Sequence, residues 1–354
     1  MTITPPVNVF LRALLCIALA FVGGTTAAYL HIPLPYMLGA IFITMVAAMS
    51  GLPVARPAQS VVLPMRVVLG VMLGSTVTPE LLDRVWAIAG SVLLVPIFAV
   101  VSTALGLVYY SRVAGYSREE AFFCAVPGGL HVMTTYAEET GVDIRRVSLA
   151  HALRITFVVI LAPLATQLFV ELPDVSTVRN ATTLLDSRLS DLAILAVAGL
   201  VGWAIGRATR MPGAQMVGPM LASAALHVSG VTAAKPPGEA IIVSQVILGA
   251  YIGSRYVGER LELVRSAIFY AFGHVVMMLC LGFACANILN AWLGVPVLTG
   301  LLSFAPGGMA EIGLIALALH LDVGFVATIQ VSRLLSIALL APFAWRHLKG
   351  RLAT

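Results

Sequence analysis

Apolar runs of about twenty residues, the length an α-helix needs to cross a bilayer, follow one another along nearly the whole sequence, from residues 9–30 to 325–345. Barrel strands would be about ten residues long and would alternate in polarity. Composition agrees with helices in lipid: 60% of the 354 residues are hydrophobic and 10% charged, against about 25% charged in an average soluble domain. Too little polar surface remains to cover a soluble fold of this size. The bilayer is therefore the first expected partner. The net charge of +5 is spread over short loops, as positive bias in cytoplasmic loops produces. Apart from Arg346, His347, Lys349 and Arg351 there is no basic cluster, so direct nucleic-acid binding is not expected.

The chain also repeats itself. One fixed offset, which carries His31 onto Arg210 and Pro163 onto Pro342, aligns 31–163 with 210–342 without a gap. Gly70 and Gly74 fall on Gly249 and Gly253, Pro127-Gly128-Gly129 on Pro306-Gly307-Gly308, Asp143 on Asp322, and Arg154 on Arg333. The expected fold is an all-α polytopic membrane protein of two homologous repeats, 9–171 and 189–346, joined by a linker over 172–188. Each repeat reads as helices a (9–30; 189–206), b (35–51; 214–230), c (60–77; 240–257) and d (86–110; 266–290). A broken element e (118–138; 296–320) and helix f (147–170; 325–345) follow. The paired glycines of helix c suit close helix contact.

Orientation turns on element e. Its two arms flank Pro-Gly-Gly, and each is too short for the roughly 30 Å hydrocarbon core. If e dips in and returns, each repeat has five spans and the two are inverted. That arrangement sets 14 Lys and Arg residues inside and four outside (Arg84, Arg179, Arg188, Lys235), whereas a crossing e gives 10 and 8. Positive charge favours the inside. The expectation is about ten spans plus two broken or re-entrant Pro-Gly-Gly elements, with both termini in the cytoplasm; a single crossing helix with a central break is the alternative for element e.

Ionisable groups inside a span cost about 2.5–3.5 kcal/mol for a central Arg on insertion scales, which makes them functional candidates. Arg154 and Arg333 coincide in helix f. Three residues earlier His151 coincides with Gln330, on the same helical face. Arg66 in helix c coincides with Gln245. Glu311 follows the second break, and His131, one position out of register, follows the first. The expected substrate or ion path comprises both Pro-Gly-Gly breaks with these eight side chains. Glu311 is expected to pair with Arg333 or Arg154. Helix ends exposed by a break suit ions, and the arginines favour an anion. The competing reading is that these groups only staple helices together. His274, alone in helix d, is expected to be a packed core histidine.

No P-loop, nucleophile elbow, HExxH or CxxC is present, so neither an enzyme nor a metal or cofactor is expected. Oligomeric state is open.

The stretch Ala125-Val126-Pro127-Gly128-Gly129-Leu130-His131 leading to Arg154, repeated as Phe304-Ala305-Pro306-Gly307-Gly308-Met309-Ala310-Glu311 leading to Arg333, resembles the duplicated membrane family called AbrB. The likeness extends over roughly residues 10–346. It implies a bacterial inner-membrane protein with a repeated domain, of a kind labelled regulator of gene expression or, in many genomes, ammonia monooxygenase. Neither label brings a catalytic motif onto these residues. The small soluble DNA-binding regulator of the same name has no trace here. The sequence thus favours a secondary transporter for a small, anionic metabolite. A membrane-embedded regulator acting indirectly is the alternative, and a membrane oxygenase a distant third.

Overall fold

The computed structural model describes residues 6–32, 34–77, 85–128, 130–167, 183–259 and 261–352. Among these, regular structure is entirely helical. The helices are α1 (Pro6–Tyr29), α2 (Pro35–Met49), α3 (Gln59–Gly74), α4 (Val85–Arg112), α5 (Arg118–Ala125), α6 (Leu130–Glu139) and α7 (Ile144–Gln167). They continue with α8 (Leu189–Ala208), α9 (Ala214–Val228), α10 (Gly238–Gly253), α11 (Leu261–Leu293), α12 (Val297–Phe304), α13 (Met309–Ala318) and α14 (Val323–Leu352). A 3-10 turn, Ser254–Tyr256, follows α10.

Helix boundaries recur at the same fixed offset of the sequence that carries His31 onto Arg210. Helices α2 and α9 both have 15 residues, α3 and α10 have 16, α5 and α12 have 8, and α6 and α13 have 10. The turn before α2 takes a left-handed backbone at Leu34 (φ 48°), and the matching turn before α9 takes it at Gly213 (φ 69°). One copy uses the residue that adopts this conformation freely, and the other forces it on a leucine.

Among the described residues, five stretches are long and apolar enough to cross a membrane: Val9–Tyr29, Ile88–Arg112, Leu189–Ala208, Glu262–Leu293 and Val323–Arg346. Helices α2, α3, α9 and α10 are shorter than the expected segments b and c. Sixteen residues rise only ~24 Å, and Ser50-Gly51 and Ser229-Gly230 stop α2 and α9 with a left-handed glycine after each cap. Helix α11 departs the other way, covering 33 residues where the sequence predicts 266–290.

The contacts divide into two units, and each draws on both halves of the chain. The first comprises 1–78 with 171–261, the second 79–170 with 262–354. In the first, α3 packs on α9 and α10 on α2. Gly70 lies against the Met216 carbonyl and Gly74 against Met220 and Ser223; Gly249 lies against the Met37 carbonyl and Gly253 against Ile41 and Thr44. The paired glycines do permit close backbone approach, and each meets helix b of the other half. In the second unit, α5 and α14 pack on α4, α7 contacts α5 and α6, and α14 covers α12 and α13. Its core includes Phe122 and Phe123 with rings tilted against Trp345, and Phe98 against Phe304.

Candidate functional site

Two helix breaks in the second unit carry the site. Helix α5 opens with a capping box: Ser117 Oγ accepts from the Glu120 amide (3.1 Å), and the Glu120 carboxylate accepts from the Ser117 amide (3.0 Å). Glu120 also pairs with Arg146 at 3.1 Å. At the far end of α5, Val126 turns extended (ψ 125°) and Pro127 follows. The second break repeats this at Ala305 (ψ 131°) and Pro306, and α13 restarts from Gly308. Proline lacks an N–H and cannot extend the preceding helix. The last carbonyls of α5 and α12 are therefore orphaned, in an apolar setting where water cannot serve them.

Helix f supplies the donors in both halves. His151 Nε2 donates to the Phe123 carbonyl (2.9 Å), and Arg154 donates to those of Val126 (2.9 Å) and Gly128 (2.7 Å). At the matching place in the second half, Gln330 Nε2 donates to the Leu302 carbonyl (3.0 Å), and also to Ser303 (3.1 Å) and Ala305 (3.2 Å). Arg333 donates to the carbonyls of Ala305 (2.5 Å), Gly307 (3.0 Å) and Phe304 (3.4 Å), and to Gln330 Oε1 (2.5 Å). Under the repeat, the bond to Phe123 corresponds to that to Leu302, Val126 to Ala305, and Gly128 to Gly307. Arg154 and Arg333 are 4% and 3% exposed. Each cation sits where a short helix ends, the end whose dipole is negative.

Much of each guanidinium therefore holds the backbone open. Both Nε atoms remain, fully buried and with no hydrogen-bond partner among the described residues. Glu311 is buried in the first turn of α13 and folds back on Gly308, so closely that a β-carbon there would strike its carboxylate. A carboxylate at a helix N-terminus is stabilised by the helix dipole. Val132 stands at the matching position after the first break, so the two copies differ in charge here. Gly129 and the His131 side chain lie outside the described residues.

Arg66 and Gln245 belong to the first unit. Arg66 donates to Gln215 Oε1 at 2.5 Å, and Gln245 is buried with its Oε1 lacking a partner among the described residues.

His274 is a core residue, as its sequence setting predicts, but its surroundings give it more weight than that. It is fully buried, and neither ring nitrogen has a hydrogen-bond partner among the described residues. Its ring centre lies 4.9 Å from that of Tyr110, whose buried hydroxyl is likewise unpartnered among them. A β-carbon on Gly106 would come 2.8 Å from His274 Nε2 and 2.7 Å from the Ala125 β-carbon, which sets the imidazole beside the end of α5. Buried polar atoms are rarely left unpaired without a reason such as water, an ion or a functional role. The repeat held a signal: its counterpart of His274 is Val95, and its counterpart of Tyr110 is Leu289. Among the described residues no group of three or more His, Cys, Asp or Glu could hold a metal ion.

These features define a helical protein of membrane type with two arginine-clasped helix breaks. A family model described as "Transition state regulatory protein AbrB" matches residues 37–349, and the chain belongs to that family. It is similar to the "Uncharacterized protein YhjN" of Bacillus subtilis, 29% identical with 96% of this chain and 94% of the relative covered. It is also similar to the "Putative regulator AbrB" of Escherichia coli, 26% identical with 88% and 89% covered.

Proposed function

We propose that the protein is a secondary transporter of the bacterial inner membrane, moving a small anionic metabolite through the second unit. The observation that carries this is the pair of breaks clasped bond for bond by Arg154 and Arg333. Discontinuous helices at mid-membrane, related by pseudo-symmetry, are how many transporters present backbone groups to a substrate. Among the described residues, two buried arginines stand against one buried carboxylate, Glu311, which favours an anion, and both arginine Nε groups lack a hydrogen-bond partner there and are donors for it.

The two repeats are inverted in this reading, with about ten spans and both termini cytoplasmic. Gln59 at the start of α3 donates to the Tyr251 hydroxyl near the end of α10 at 2.7 Å. Equivalent helices that meet start to end run in opposite directions, which supports inversion. The arms of element e, 8 and 10 residues, rise only ~12 and ~15 Å, which supports re-entrant hairpins. The short helices b and c are accommodated by local bilayer thinning and by basic side chains reaching for the interface.

The test is uptake of a panel of radiolabelled small mono- and dicarboxylates into proteoliposomes. Saturable uptake that is lost in Arg333→Ala and Glu311→Gln is expected; uptake that these variants leave unchanged would refute the assigned path. The name of the Escherichia coli relative favours a second reading, a membrane-embedded regulator acting through a partner. A stable cytoplasmic partner together with no flux of any panel member would select it.

A further inference from the structure

A second polar cluster lies in the first unit, and the transport reading does not use it. Three guanidinium groups converge on one buried tyrosine. The central carbons of Arg56, Arg66 and Arg255 lie 5.7, 5.6 and 5.1 Å from the ring centre of Tyr251. All are within cation–π range, about 6 Å. The Tyr251 hydroxyl accepts from Gln59, and Arg66 is steered by the neutral amide of Gln215. Helices α3 and α9 contain no Asp or Glu, and α10 carries Glu239 in its first turn, at the end away from Tyr251. Arg56 is exposed, while Arg66 and Arg255 are half-buried, so the cluster opens outward through Arg56.

The repeat provides an internal control. At the equivalent positions of the other half stand Lys235 for Arg56, Gly238 for Gln59, Gln245 for Arg66, Tyr36 for Gln215, Met72 for Tyr251 and Thr76 for Arg255. The equivalent positions thus carry one cation, Lys235, and have Met72 in place of the Tyr251 ring and Tyr36 in place of the Gln215 amide. The fold does not require the cluster. Like charges gathered around one ring repel, and a polyanion bridging Arg56 and Arg66 offsets that repulsion. Guanidinium forks match phosphate oxygens in geometry and charge.

We propose that Arg56, Arg66 and Arg255 on Tyr251 form a binding site for a phosphate-bearing anion, at the end of the first unit that the inverted topology turns to the cytoplasm. The phosphate comes either from an anionic phospholipid headgroup or from a free phosphate-bearing solute. Basic pockets between helices on that side of a membrane are suited to both.

The experiment uses the full-length protein in neutral detergent, with two probes. Native mass spectrometry counts retained phosphatidylglycerol against phosphatidylcholine, and calorimetry titrates inorganic phosphate and pyrophosphate. At least one phosphate probe is expected to bind wild type, and Arg56→Gln and Arg66→Gln each weaken it about tenfold, the scale of one charge-assisted contact. Lys235→Gln, the mirrored control, leaves binding unchanged. Binding of phosphatidylglycerol alone identifies a lipid site, and binding of phosphate or pyrophosphate a solute site. The proposal is overturned if no phosphate probe binds wild type, if neither arginine variant weakens binding, or if Lys235→Gln weakens it equally. Arg56 is exposed, so its variant remains decisive should Arg66→Gln fail to fold. Carboxylate uptake through the second unit is a separate readout, so either idea can fail alone.

Discussion

Arg154 donates to the carbonyl of Gly128 at 2.7 Å, bridging the gap that Pro127 leaves in the helix before it. Arg333 makes the matching bond to Gly307 at 3.0 Å. A buried cation is thus part of the backbone's hydrogen bonding at each break. A lysine carries the charge but presents it as a point, without the planar fork. Arg154→Lys and Arg333→Lys should each lose about 2–4 kcal/mol, since buried carbonyls would go unsatisfied. Thermal unfolding in detergent measures this, and Arg333→Lys should be the more damaging, because Arg333 makes more bonds.

Glu311 and Gly308 form a second test. Adding a methyl group at Gly308 drives the Glu311 carboxylate from its place. Gly308→Ala should therefore reproduce the transport defect of Glu311→Gln. Uptake by a Gly308→Ala protein that matches wild type, while Glu311→Gln is inactive, would show that the carboxylate's position does not matter.

His274 separates stability from activity. Replacing it with leucine removes two buried ring nitrogens that lack partners among the described residues. His274→Leu should raise stability by about 1–3 kcal/mol, the cost of an unsatisfied buried polar group. The same variant should lower the proposed flux. A His274→Leu protein that is less stable than wild type would mean the imidazole is satisfied by bound water or solute.

Close packing in the first unit gives a graded prediction. Gly74→Ala forces a methyl onto the Met220 backbone, and Gly253→Ala onto Ile41 and Thr44. Each should cost about 1–3 kcal/mol through overpacking. Gly51 has a φ of 76° and nothing within 4 Å of where a β-carbon would sit, so Gly51→Ala should cost only the backbone strain, about 1–2 kcal/mol. Unfolding midpoints of the three variants rank them.

Reporter fusions test orientation. A reporter at Asp143 and one at the C-terminus should be cytoplasmic, and one at Lys235 periplasmic. Lys235 and the C-terminus on the same side would remove the inverted arrangement.

The helices were legible in the sequence because their causes are local. Apolar runs of fixed length, and Pro or Gly where they stop, set α1 to α14 within a few residues, apart from the longer α11 and α14. The gapless offset and the two Pro-Gly-Gly breaks were equally plain. The partners of those helices could not be read, because partnership depends on packing between residues far apart in the chain, as Gln59 with Tyr251 and Ser223 with Val71. Only the tertiary structure joins helices a, b and c of both halves in one unit and d, e and f in the other. It alone turns Arg154 and Arg333 toward carbonyls, leaves His274 beside Tyr110, and gathers three arginines on Tyr251. A polar residue in an apolar run announces that it must find a partner; which atom answers is decided by the helix that packs against it.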